Sequence, residues 1–114
     1  MSATRRWTCG GCGVTVSFPG NETAPRRPEG WAKRGKAWRC LRCRREEAMD
    51  EAAETADASD VKSVRRRALV EFELLRDPEA ADIVVARRAR CSSAIVAPVR
   101  AALRKEGKLP DPKG

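Results

Sequence analysis

Histidine is missing from this 114-residue sequence. Its absence removes the commonest general base and leaves no Cys/His or Ser/His pair, so the sequence gives no reason to expect an enzyme. No stretch approaches the ~20 apolar residues that span a bilayer. The opening Met1-Ser2-Ala3-Thr4-Arg5-Arg6 leads into no apolar run, so no secretory leader is expected. From both absences the protein is expected in the cytosol, where thiols stay reduced. There Asn21-Glu22-Thr23 is a glycosylation sequon only on paper. Aromatic residues are few, three Trp and two Phe, and acidic residues are scarce in the first 45 positions.

Cysteine, by contrast, is patterned. Four of the five cysteines form two Cys-x-x-Cys pairs, Cys9/Cys12 and Cys40/Cys43, with 27 residues between the pairs. Two such pairs, each on a tight turn, offer four thiolates in the tetrahedral arrangement that Zn²⁺ prefers. The expected cofactor is one structural zinc ion on Cys9, Cys12, Cys40 and Cys43. The competing readings are a disulfide pair or four unrelated thiols, and a reducing compartment disfavours the first. A module of about 45 residues buries too little apolar surface to fold on area alone, and a metal supplies what is missing.

Charge is distributed in blocks. Residues 1–45 hold 11 Lys/Arg against two acidic residues, residues 46–60 hold seven acidic and no basic residue, and residues 61–114 hold 13 basic against seven acidic. Three segments are read from this: 1–45, an acidic helical or flexible connector over 46–59, and a second module over 60–114. Two basic blocks point to phosphate backbones as partners. The bland alternative is a solvated surface rich in arginine (18 Arg against six Lys).

Along the chain, Trp7, Val14, Val16 and Phe18 alternate at strand-like spacing around the first cysteine pair. Pro19 to Gly30 reads as a loop. Trp31-Ala32-Lys33, Arg34-Gly35 and Lys36 to Arg39 read as a short hairpin that delivers the second pair. This order resembles a zinc ribbon over residues 5–45, a fold that binds DNA, RNA or protein. Trp7, Trp31 and Trp38 could stack on bases, but at least two of them are expected to form the core over the metal.

The spacing predicts a thin-faced helix over about 44–55, fading near Ala58-Ser59, with Ala48, Ala52 and Ala56 on one side. A second helix, Val61–Arg76, is capped by Asp60 and carries Val61, Val64, Ala68, Leu69, Phe72 and Leu75 as its apolar stripe. A third starts at Asp77-Pro78-Glu79, runs to about Ala89 and buries Ala81, Val84, Val85 and Ala89. After a break at Arg90-Cys91-Ser92, a fourth places Ile95, Val96, Val99, Ala102 and Leu103 inward and stops at Gly107. Helix, short turn, helix at this spacing is the helix-turn-helix pattern. The expected fold class is therefore small α+β: a four-cysteine zinc ribbon with short antiparallel strands, then an all-α helix-turn-helix domain.

Residues 74–110 also resemble the helix-turn-helix of partition-type (ParB-like) and phage or plasmid regulators, at Asp82, Val85, Ala86, Ser92, Val96, Val99, Arg100, Leu103, Gly107, Lys108, Leu109 and Pro110. Two departures stand out: Arg90 replaces the turn glycine, and Pro98 sits inside the recognition helix, which it should kink. The resemblance implies that Ser92, Ser93 and Ala94 face base edges and a phosphate, while Arg87, Arg88, Arg100, Arg104 and Lys108 neutralise backbone phosphates. Cys91, the odd cysteine, takes the place of an apolar turn residue and is expected to pack.

The function expected is a small DNA-binding regulator of phage or mobile-element type, nucleoid-associated, with double-stranded DNA as its partner. The alternative is an adaptor whose zinc ribbon binds RNA polymerase or another protein. A third reading is a redox switch in which cysteine oxidation ejects zinc. A homodimer through helix 61–76 or the Ala-lined bridge is open.

Overall fold

A computed structural model describes residues 5–18 and 27–110. The N-terminal start, most of the expected loop (19–26, including the sequon) and residues 111–114 lie outside the described residues. The chain is small α+β, with two antiparallel strand pairs followed by four helices among the described residues, and divides into two compact units, Met1–Glu47 and Ala48–Gly114.

In the N-terminal unit, strands β1 (Arg5–Thr8) and β2 (Thr15–Phe18) pair with Trp7 opposite Val16. Alternation sends Trp7 inward, where its ring meets Phe18 edge-on at 5.6 Å. Val14, counted inward from the sequence, is exposed because it lies before β2 in the turn. Strands β3 (Ala32–Arg34) and β4 (Ala37–Arg39) form the expected hairpin. The two strand pairs are tied where the Gly10 N–H donates to the Trp38 carbonyl at 2.8 Å. Trp7, Trp31, Cys9 and Cys40 are the buried set, with Val16, Phe18, Trp38 and Cys43 packed on it.

Helix α1 (Leu41–Ala53) begins three residues earlier than the sequence suggests and places Cys43 in its first turn. It buries no residue, in keeping with its thin face. It also ends before Ala56. Beyond Ala53 the backbone closes i to i−3 bonds at Ala56 and Asp60, where Thr55, Asp57, Ser59 and Asp60 favour turns over helix interior.

The helical unit is built on α2 (Val61–Arg76), α3 (Asp82–Ala89) and α4 (Ser93–Lys105). Its core is Val70, Leu74, Val85, Ala86, Ala89, Val96, Val99, Leu103 and Leu109. Leu74 and Leu103 are fully buried, each worth about 2 kcal/mol of apolar burial. Helix α2 is rotated from its expected stripe: Val70 and Leu74 enter this core, whereas Leu75 is 48% exposed. Of the stripe's side chains, Leu69 packs against the core, while Ala68, Phe72 and Leu75 line a groove of about 530 Å³ with Ala48 and Ala52. Two apolar faces on one helix explain the misreading.

Glu73 also enters the core and is completely buried. A lone buried carboxylate is costly, and here Arg76 donates to it from Nε and Nη2 at 3.1 and 2.8 Å. Asp60 precedes α2, but its side chain makes no cap; its carbonyl instead receives the Ser63 hydroxyl.

Helix α3 starts at Asp82, not at Pro78. Asp77 closes α2, its N–H donating to the Glu73 carbonyl, and the next three residues turn, with Ala80 bonded back to Asp77. Asp-Pro-Glu is a good helix opening and an equally good turn. The Arg100 guanidinium decides for the turn by taking the Pro78 and Ala80 carbonyls and the Asp82 carboxylate. Ala81, now outside the helix, is exposed.

Arg90 closes α3 in the left-handed conformation, φ 56° and ψ 49°, as a residue in the glycine's place must. Ser92 then caps α4, its Oγ accepting from Ala94 N–H at 3.2 Å. Helix α4 runs unbroken through Pro98, whose ring stands on the exposed side. At its end Gly107, φ 78°, lets Gly107 N–H reach Arg104 and Lys108 N–H reach Leu103, and so folds Leu109 back into the core.

Candidate functional site

The four paired cysteines converge. Their sulfurs all lie within 4.8 Å of one another, and the four could hold one metal ion. Across the two pairs, Cys9 and Cys43 sulfurs are 3.6 Å apart and those of Cys12 and Cys40 3.7 Å. None of the five cysteines is disulfide-bonded.

Each pair is placed differently. Cys9 ends β1 in a turn closed by Gly13 N–H to the Cys9 carbonyl at 3.0 Å and Cys9 N–H to Val14 at 2.9 Å. Within it, a Cβ on Gly11 would lie 3.0 Å from Cys43 Sγ, so only glycine lets the second pair approach so closely. The second pair is not a loop turn, as its sequence suggested. Cys40 precedes α1 and Cys43 stands in its first turn, with Arg44 N–H bonded to the Cys40 carbonyl at 3.0 Å. A helical turn spaces residues i and i+3 on one side, which serves as well as a knuckle for aiming two sulfurs.

Cys9 and Cys40 are buried, Cys43 is partly so, and Cys12 is exposed. Burial pushes the Cys9 thiol up, but backbone N–H donors more than reverse it: Cys40 N–H and Gly11 N–H each lie 3.3 Å from Cys9 Sγ. The net result is a Cys9 thiol lowered to about 6. Burial pushes Cys43 up to about 12, helped by its neighbouring sulfurs, and raises Cys40 as well. Such a set holds one ready thiolate and gives up further protons to an arriving cation.

Arginines frame the cluster. A Cβ on Gly10 would collide with the Arg39 guanidinium, which therefore lies over the first turn. Arg39 and Arg34 both bond to Glu47, and Arg44 holds the Gly30 carbonyl beside the buried Trp31.

In the helical unit the residues suggested by sequence separate into two groups. Ser92, Ser93 and Ala94 are exposed at the start of α4, Arg87 is exposed on α3, and Lys108 is exposed after α4, 3.7 Å from Glu106. Arg88 and Arg100 are occupied within the fold: Arg88 bonds to Asp77 at 3.0 Å, and the Arg100 side chain is 12% exposed in its three-acceptor clasp. Arg104 is half-buried, and its Nε has no hydrogen-bond partner among the described residues. Cys91 is partly buried against the core, and burial raises its thiol, with Arg66 opposing. Arg66 belongs to the run Arg65-Arg66-Arg67 on α2, for which the sequence offers either phosphate contact or a solvated helix face.

Among the described residues no helix is long and apolar enough to cross a membrane. Comparison with family models, with curated proteins and with solved structures finds no match to this chain.

Proposed function

We propose that this chain is a small DNA-binding regulator, a helix-turn-helix domain joined to a structural zinc ribbon. The observation that carries the reading is the α3–α4 arrangement: two helices joined at Arg90–Ser92 over a common core, with the first turn of α4 left exposed. That turn presents the positive end of the helix dipole, which suits a phosphate or a base edge. Arg87 on α3 and Arg90 in the turn are exposed cations that precede it. Ser93 and Ala94 would then face bases, while Arg87, Arg104 and Lys108 would contact phosphate. Arg88 and Arg100, expected from the resemblance to neutralise phosphates, would instead hold the loop before α3 in place.

The zinc assignment rests on spacing. Sulfurs at the corners of a tetrahedron with Zn–S bonds of about 2.3 Å stand about 3.8 Å apart, close to the 3.6 and 3.7 Å found between the pairs. Four thiolates leave no open position for a substrate, so the ion would act as a staple. Elemental analysis should find one zinc per chain.

A salt titration of binding to random duplex DNA tests the main reading. Affinity should fall steeply as salt rises, because each phosphate contact releases counterions. No binding even at low salt would sink it. If a protein partner were then recovered after nuclease treatment, the adaptor reading would replace it.

A further inference from the structure

The β3–β4 hairpin carries more positive charge than its fold uses. Lys33, Arg34 and Lys36 surround Gly35 at its tip and are all exposed. With Arg39 they make four cations, and the carboxylate bonded to this group is Glu47, shared by Arg34 and Arg39. Lys33 has its ammonium 5.5 Å from the centre of the Trp38 ring, a contact that orients the charge without neutralising it. Trp38 in turn packs on the buried cluster over the cysteines, which fixes the platform. The Arg34–Glu47 pair is no reason for the charge either: with the Arg34 side chain 65% exposed, it adds little to stability.

We propose that this hairpin is a second DNA-contacting element, in which Lys33, Arg34 and Lys36 bind the phosphodiester backbone. The proposal rests on the DNA-binding reading given above and assigns the N-terminal unit contacts of its own. Shape agrees with charge. A two-stranded ribbon with strands about 4.8 Å apart fits the ~12 Å major groove, and its tip then meets phosphates on the groove's edge. The tip carries no Asn or Gln, and its one arginine, Arg34, shares its guanidinium with Glu47, so the contribution is to affinity and not to sequence preference.

The test uses the full zinc-loaded chain and compares it with two variants, Lys33→Ala/Lys36→Ala and Arg87→Ala/Lys108→Ala, on random duplex DNA across a salt series. Zinc content and tryptophan fluorescence check that each variant is folded. Each lost phosphate contact removes about 0.9 from the slope of log affinity against log salt, so the hairpin variant should flatten the parent slope by about 2. Lys33→Glu/Lys36→Glu should weaken binding further. Parent binding with an unchanged slope and affinity in both hairpin variants would overturn the inference while leaving the helical reading intact. If the parent binds no DNA, both fall together.

Discussion

The buried set of the N-terminal unit is two tryptophans and two cysteines, whereas that of the helical unit is nine apolar residues drawn from three helices and the segment after them. Apolar burial of the second kind, at about 25 cal/mol per Å², suffices to fold a small helical domain. The first kind does not: half of its centre is thiol, and one of those thiols is held toward its ionised form by backbone N–H groups. Four sulfurs that would repel once ionised become an asset only around a cation. With a metal on the four sulfurs, the two units of one chain would reach stability by different routes, and removing either support should spare the other.

The largest effect should come from the cysteines. Cys43→Ser should lower metal affinity by more than about 100-fold, the upper range for losing even an outer-shell partner. Elemental analysis and the fluorescence of Trp7, Trp31 and Trp38 would register it, while helical circular dichroism from α2–α4 stays. A change that spared tryptophan fluorescence would remove the metal from the account of this unit.

Leu103→Ala makes the opposite cut. Leu103 is fully buried, so its truncation should cost about 2–5 kcal/mol, read as a lower urea midpoint of the helical signal at unchanged metal content. Ser92→Ala removes the cap on α4 and should cost about 1 kcal/mol in the same assay. The smallest effect has the opposite sign. Arg90→Gly relieves a left-handed residue and should stabilise by about 0.5 kcal/mol, strain relief outweighing the added freedom of the unfolded chain.

Much of this arrangement was legible in the sequence, and the misses share a cause. The cysteine spacing identified four residues that do converge, because ligand geometry is local to each pair. The boundaries of α2 were legible for the same reason, being set by nearby residues. What failed depended on distant partners. Arg100 lies 22 residues from Pro78, yet it determines that Pro78 opens a turn rather than a helix. The inward face of α2 was misjudged because Ala68, Phe72 and Leu75 form a stripe as regular as the one that is buried. No local pattern marks Glu73, which is buried with Val70 and Leu74 and paired by Arg76. Periodicity finds a helix, but it cannot say which of two apolar faces the rest of the chain will cover.

The division of support between the units is tested most directly by amide NMR of the full chain before and after a strong zinc chelator is added. The account predicts that signals of the N-terminal unit, with the indoles of Trp7, Trp31 and Trp38, lose their dispersion, while those of Val85, Val96 and Leu103 hold their positions. Signals of the N-terminal unit that stay dispersed without metal, or a collapse of both units together, would contradict it.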